Sequence, residues 1–228
     1  MSNKRISPTA ATTTPGQEAR GTDGDVSPSR APFHPEGFVR RELLDGGELL
    51  YIPSFFDSGD ADALFAELRD GIPWEHARMM GQLQKLATYW IGSVPYAYSR
   101  QTRPAAPWLP DPRAIGAAVE SFLFAGSGDA FEGVLLNYYK TSDVKLGLHA
   151  DSEPIMVPDS PIASLSLGAE RDLQIRHGRK GSSVLSVPLA HGSLLIMGGA
   201  TQRHYQHQVP KRARCSSPRL NLTFRVMR

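Results

Sequence analysis

Only one cysteine, Cys215, occurs in the 228 residues, so no intrachain disulfide is available. Such a chain suits a reducing, cytoplasmic setting. No apolar run approaches the length of a membrane span, and the N-terminus does not read as a signal peptide. Membrane association is therefore not expected. Acidic residues are absent after Asp172, whereas ten Lys or Arg follow it in a chain whose net charge is only +2. A basic final stretch on an otherwise acidic chain points to a phosphate-bearing partner. What is present is a hydrophobic content of 40%, enough for one sizeable core.

Residues 1–33 are rich in Ser, Thr, Pro, Gly and Ala without apolar periodicity. They are expected to be a disordered tail, since they bury too little surface to offset the entropy of ordering. Residues 34–228 are read as one domain, with 34–132 preceding a core over 133–228. Leu49-Leu50-Tyr51-Ile52-Pro53 predicts a strand entering a turn, and Asp57 or Ser58 predicts the cap of a helix through Leu64, Phe65 and Leu68. Asp111-Pro112 predicts a second helix through Ile115, Val119 and Phe122. From Gly133 on, short apolar or alternating runs follow one another: Val134–Tyr139, Val144–His149, Ile162–Leu167, Leu173–Arg176, Val184–Val187, Ser193–Met197, Tyr205–Val209 and Leu220–Val226. Gly, Pro, Asp and Ser punctuate them. About eight short strands predict a mainly β, α+β fold with a jelly-roll (double-stranded β-helix) core and helices packed outside it.

The octapeptide Arg-Leu-Asn-Leu-Thr-Phe-Arg-Val at 219–226 is the most informative segment. As a strand it sets Leu220, Leu222, Phe224 and Val226 on one face and Arg219, Asn221, Thr223 and Arg225 on the other. Two arginines on one face, with Cα atoms about 20 Å apart, can reach toward the two ends of a short dicarboxylate. Asn137 and Tyr139 share a face of an earlier strand and offer neutral hydrogen bonds to the same anion.

His149 ends a strand and Asp151 lies two residues on, so both side chains face the same way. With one more histidine they would form two histidines and a carboxylate on one face of a ferrous ion, leaving positions open for oxygen and a co-substrate. His177, His191, His204 and His207 are the candidates, and spacing does not choose among them.

These segments resemble the AlkB-type dioxygenases dependent on iron(II) and 2-oxoglutarate, which repair alkylated nucleic acids. The resemblance runs from about Trp74 to Val226 and is carried by Thr88-Tyr89-Trp90, Pro95-Tyr96-Ala97-Tyr98-Ser99-Arg100, Leu136-Asn137-Tyr138-Tyr139, His149-Ala150-Asp151-Ser152-Glu153-Pro154, Ile162-Ala163-Ser164-Leu165-Ser166-Leu167-Gly168, His191-Gly192-Ser193-Leu194-Leu195-Ile196-Met197, Gln206-His207-Gln208-Val209-Pro210 and the 219–226 octapeptide. It implies that His207 joins His149 and Asp151 as iron ligands, and that Asn137, Tyr139, Arg219, Asn221 and Arg225 hold 2-oxoglutarate. It places Tyr98 and the His149 ring about the target base, with Tyr96, Ser99 and Trp74 nearby and Glu153 close to the exocyclic amine. Residues 34–132 become a nucleotide-recognition region in which Met79 or Met80 sits in a substrate-gripping hairpin, and Lys211, Arg212 and Arg214 face phosphates. The implied reaction is oxidative demethylation of 1-methyladenine and 3-methylcytosine in DNA, with RNA as a further substrate. It consumes O2, converts 2-oxoglutarate to succinate and CO2, and releases formaldehyde. A monomer is expected, associated with the nucleoid, or with the nucleus in a eukaryote. The alternatives are a related hydroxylase of a protein or small molecule, and a non-catalytic nucleic-acid-binding module.

Overall fold

The computed structural model describes residues 4–5, 37–79, 81–98, 101–124, 130–179, 182–213 and 217–228, with backbone alone at 4–5, 79, 98 and 101. Along the chain lie β1 (Lys4–Arg5), β2 (Val39–Glu42), a 3-10 turn (Leu44–Gly46), β3 (Gly47–Ile52), α1 (Ser58–Gly71), β4 (Glu75–Met79), β5 (Gln82–Gly92), β6 (Tyr96–Tyr98), β7 (Gln101–Arg103), α2 (Pro110–Leu123), β8 (Gly133–Tyr139), β9 (Leu146–His149), β10 (Ile162–Gly168), β11 (Arg171–His177), β12 (Val184–Leu189), β13 (Ser193–Gly199), α3 (Thr201–His204), β14 (Tyr205–Val209) and β15 (Arg219–Arg225).

The strands form a jelly roll. An eight-stranded sheet in the order β2-β3-β13-β10-β15-β8-β5-β4 lies against a five-stranded sheet in the order β1-β12-β11-β14-β9, and β6 and β7 form a separate hairpin. The expected strands of the 133–228 core are all present within a few residues of their anticipated limits. The region before residue 133 contributes more sheet than its sequence suggested. β5 pairs with β8 from Ala87↔Tyr138 to Gly92↔Gly133, and β2, β3 and β4 extend the same sheet. Of the tail, Lys4–Arg5 pairs in parallel with β12, and the rest of 1–33 lies outside the described residues.

Alternation along the eight-stranded sheet explains the layering. Leu220, Leu222, Phe224 and Val226 of the β15 segment pack outward with Ala163, Leu165 and Leu167 of β10 against Leu64 and Leu68 of α1 and Ile115 and Val119 of α2. The helices therefore cover one face of the sheet, as expected. The opposite face meets the five-stranded sheet through a second core that includes Leu195, Met197, Ile162, Leu173, Ile175, Val187 and Val209. Both faces of β15 are buried throughout. Its polar face is thus enclosed rather than wetted, and charged groups there need partners inside the protein or a ligand.

Local chemistry sets the ends of the elements. Asp57, not Ser58, caps α1: its Oδ1 accepts from the Asp60 N–H at 2.8 Å. Gly168 turns the chain out of β10 at φ +84, and a Cβ there would lie 2.5 Å from the Pro218 carbonyl oxygen and 2.8 Å from the Phe65 ring. That close approach brings the start of β15, and with it Arg219, into register opposite Gly168.

Candidate active site

The two sheets bring together side chains widely separated in sequence. His149 at the end of β9 lies directly opposite His207 on β14, their rings 4.3 Å apart. Asp151 follows just beyond β9. Donor atoms of His149, Asp151 and His207 all lie within 4.8 Å of one another. His149 Nδ1 lies 2.8 Å from the Gly147 carbonyl oxygen and so must donate to it. That fixes the tautomer and presents the Nε2 lone pair toward Asp151 Oδ1, 3.5 Å away. Asp151 Oδ1 is itself buried and makes no hydrogen bond among the described residues. Two electron-pair donors facing each other across such a gap call for a proton or a metal cation between them.

Electrostatics prepare these groups as ligands. Burial opposes ionisation of Asp151, but Arg225, His149 and His207 outweigh it and hold the carboxyl well below the usual range. Arg225 Nη2 donates to Asp151 Oδ2 at 3.0 Å, and both side chains are only 3% exposed. Burial likewise opposes the Arg225 charge, yet Asp151, Tyr96 and Glu153 more than compensate and raise its pKa. Burial pushes His207 down to about 4, so its imidazole is a neutral donor at ordinary pH. Burial also works against protonation of His149, but the facing Asp151 carboxylate and the Gly147 carbonyl prevail and raise its pKa. The Asp151 N–H is anchored by Gln202 Oε1 at 2.9 Å, so α3 helps to place the carboxylate.

The inner face of β15 continues the site away from this cluster. Arg219, Asn221, Thr223 and Arg225 line one cavity together with Asn137 and Tyr139 of β8, and His149, Asp151 and His207 line the same cavity. Arg219 Nη2 donates to Ser166 Oγ at 2.8 Å, and its guanidinium lies 5.0 Å from the Tyr139 ring. Asn221 Nδ2 donates to Ser164 Oγ at 2.8 Å and to the Leu165 carbonyl at 2.9 Å, while its Oδ1 accepts from Thr223 at 3.1 Å. The Nε groups of Arg219 and Arg225 are buried and make no hydrogen bond among the described residues. Buried cationic donors left in that state suit an anion with a negative group at each end. Leu86, Leu135, Leu146, Leu173, Leu189, Met197 and Val209 supply apolar walls.

A model of the 2OG-Fe(II) oxygenase superfamily matches residues 48–225. The chain belongs to that superfamily. The human DNA oxidative demethylase ALKBH2 is 35% identical over 203 residues, covering 82% of this chain and 75% of that protein. The human alpha-ketoglutarate-dependent dioxygenase alkB homolog 3 is 35% identical over 188 residues, covering 77% of this chain and 64% of that protein. The solved structure of OsALKBH1 superposes with a TM-score of 0.60 at 22% identity, covering 82% of this chain and all of that one, and bears out the fold. The chain is an AlkB-type Fe(II)/2-oxoglutarate-dependent dioxygenase, with iron(II), 2-oxoglutarate and O2 as its cofactor set. The residues fit that set. Two imidazoles and a carboxylate suit ferrous iron, and the unpartnered arginine nitrogens suit the two carboxylates of the co-substrate.

The residues expected around the base divide into three groups. Glu153 and Tyr96 come together, the phenol donating to Glu153 Oε1 at 3.0 Å. Tyr96 is fully buried, stacked on Trp90 with ring centroids 4.5 Å apart and with the Arg225 guanidinium 5.2 Å from its ring. It supports the site from behind instead of lying open to a ligand. Trp74 is not brought to the cavity: it packs on Tyr138, 5.1 Å between rings, and donates to the Arg69 carbonyl. Tyr138 alternates with Asn137 and Tyr139 along β8, so Trp74 lies on the helix-covered side of the sheet. Ser99, Met80, Arg214 and the side chains of Tyr98 and Met79 lie outside the described residues.

Part of the basic final stretch is paired within the protein. Arg179 pairs with Asp45 at 2.9 Å, Arg203 with Asp159 at 2.9 Å and Arg212 with Glu170 at 3.3 Å, while Arg219 and Arg225 are internal. Of the remaining histidines, His191 accepts from the Gly168 N–H and lies 3.2 Å from Asp62. His177 and His204 gather with Asp45 elsewhere. There His177 Nδ1 accepts from the Arg179 N–H at 3.0 Å, so Nε2 carries the proton and donates to Asp45 at 2.8 Å. That tautomer leaves no Nε2 lone pair facing Asp45, and the cluster is a hydrogen-bonded brace between β11 and the 3-10 turn. Sequence reasoning missed Ser164, Ser166, Gln202 and Arg171. Only the alternation of β10, Ile162-Ala163-Ser164-Leu165-Ser166, carried a signal for the two serines.

Proposed function

We propose that this chain oxidatively demethylates N-alkylated bases, 1-methyladenine and 3-methylcytosine, in DNA, with RNA as a further substrate. The observation that carries this reading is the continuous row of His149, Asp151, Arg225 and Arg219 across one cavity, with Glu153 held beside it by Tyr96. The human relative named DNA oxidative demethylase supports the choice of substrate. The catalytic unit is residues 34–228 acting as a monomer in an intracellular, nucleoid- or nucleus-associated setting, and 1–33 is its tail. Among the described residues no helix is long and apolar enough to cross a membrane.

His149, Asp151 and His207 would hold iron(II), which when bound supplies the oxidative chemistry that couples 2-oxoglutarate decarboxylation to hydroxylation of the alkyl carbon. Arg225 fixes Asp151 in one orientation and keeps it ionised. It would also hold the keto-acid end of the co-substrate, and Arg219 and Tyr139 would hold the far carboxylate. Asn137 would offer a neutral hydrogen bond along its length, while Asn221, whose amide is bonded to Ser164, Leu165 and Thr223, would line the wall. The apolar walls exclude water, which strengthens each of these contacts. Glu153 accepts a hydrogen bond from the exocyclic amine of the base, its geometry set by the Tyr96 phenol. A base inside a duplex must be flipped out to reach this depth, and methylation of a pairing nitrogen lowers that cost. Hydroxylation at the N-methyl carbon yields a hemiaminal that releases formaldehyde and the restored base.

A panel of methylated single- and double-stranded DNA and RNA oligonucleotides, incubated with iron(II) and 2-oxoglutarate and scored by mass spectrometry, tests the reading. Loss of one methyl from 1-methyladenine or 3-methylcytosine is expected. Normal turnover of 2-oxoglutarate with every oligonucleotide unchanged would assign the oxygenase to another substrate class.

A further inference from the structure

Arg171 opens β11 and is 1% exposed, among the largest fully buried side chains in the protein. A guanidinium so placed must have its charge and its donors accounted for. Its Nη2 donates to the Val144 carbonyl at 2.8 Å and to the Pro210 carbonyl at 2.5 Å. Val144 lies two residues before β9 and Pro210 immediately follows β14. The side chain therefore ties together the ends of the two strands that carry His149 and His207, next to the Val209↔Leu146 pair.

The same guanidinium lies 5.5 Å from the Tyr139 ring, and Arg219 lies 5.0 Å from that ring. Two cations thus share one phenol at the end of the cavity remote from Asp151. Besides the larger effect of burial, the Arg171 charge contributes to lowering the Arg219 pKa, so the two charges are felt by one another. Such a pair of neighbouring cations is unfavourable in an empty cavity and becomes favourable once an anion lies against it.

We propose that Arg171 is a positioning residue for the far carboxylate of 2-oxoglutarate: it sets Tyr139 and, from behind the cavity lining, adds its positive charge to that of Arg219. The inference rests on the assignment of Arg219 and Tyr139 to that carboxylate. It predicts a specificity effect, since an α-keto acid without the second carboxylate gains nothing from the added charge.

The test is calorimetric titration of the Mn(II)-loaded protein with 2-oxoglutarate and with 2-oxopentanoate, which has a methyl group in place of the far carboxylate. Arg171→Met is expected to raise the Kd for 2-oxoglutarate about tenfold and that for 2-oxopentanoate less than about twofold, as removal of one nearby screened charge would. Arg171→Lys, which keeps the charge, is expected to restore most of that discrimination. An equal weakening of both ligands, or no weakening of either, would reduce Arg171 to a structural brace and overturn the proposal, as would failure of both variants to fold. Arg219→Met serves as the control. If it leaves 2-oxoglutarate affinity unchanged, the carboxylate assignment itself is wrong. If it weakens binding while Arg171→Met does not, only the role of Arg171 falls.

Discussion

Replacing Arg225 by Met would leave Asp151 without the one cation that pairs with it at 3.0 Å inside the protein. Both groups are 3% exposed, so solvent cannot take over the lost interaction. Breaking a buried pair from one side costs about 3–5 kcal/mol, because the surviving charge stays desolvated. That is a large fraction of the stability of about 5–15 kcal/mol typical of a folded domain. Asp151→Asn should cost a similar amount by stranding Arg225. The double variant should lose less than the sum of the two by about 2 kcal/mol, since neither charge then remains to be compensated. Urea unfolding of the metal-free protein, followed by circular dichroism for the wild type, both single variants and the double variant, measures all four corners. Arg225→Met should also lift the Asp151 pKa, because burial, which opposes ionisation, then acts with less opposition. Losses under about 1 kcal/mol in both single variants, or strict additivity, would show that the pair is not buried as described.

Arg219→Met should raise the 2-oxoglutarate requirement at least about tenfold, read as KM in turnover, while leaving Mn(II) affinity nearly unchanged, because Arg219 lies along β15 from the metal-binding cluster. Leu222→Ala should cost about 2–5 kcal/mol in urea unfolding without altering the KM for 2-oxoglutarate, since Leu222 is fully buried on the helix-covered face of the same strand. The metal-free protein should lose the His207 contribution to stability as pH falls from about 6.5 toward about 4. In that window the unfolded chain binds a proton that folded His207, with its pKa near 4, refuses. His149 acts in the opposite sense, its raised pKa giving stability that is present at low pH and lost as pH rises through its folded value. A His207→Gln variant should therefore flatten the acid side of the unfolding profile, and an unchanged profile would remove His207 as its source.

The octapeptide at 219–226 was legible because its period of two survives in the structure. Its polar face points into the space between the sheets, as two arginines on one face suggested, and β15 is buried on both sides. His149 and Asp151 were legible for the same reason of local spacing. His207 could not be selected by spacing, because what chooses it is cross-strand register: it lies opposite His149, whereas His177 is turned toward Asp45 and His191 toward Gly168. β5 escaped notice because Gln82, Gln84 and Lys85 break any regular alternation in its exposed first half, before the buried run from Ala87. The pairing of Arg179, Arg203 and Arg212 in the basic final stretch could not be read from the sequence, because Asp45, Asp159 and Glu170 lie in earlier segments that only the fold brings near. Arg171 was hidden because a single arginine at the start of an alternating strand reads as an edge charge until the carbonyls of Val144 and Pro210 close over it.

Anomalous diffraction from crystals grown without oxygen in the presence of Mn(II) and 2-oxoglutarate puts the central claim to its most direct test. The expected result is one metal peak bound by His149, Asp151 and His207, with the co-substrate lying along β15 from Arg225 to Arg219. A metal peak at Asp45, His177 and His204 instead, or a co-substrate bound away from both arginines, would contradict the account.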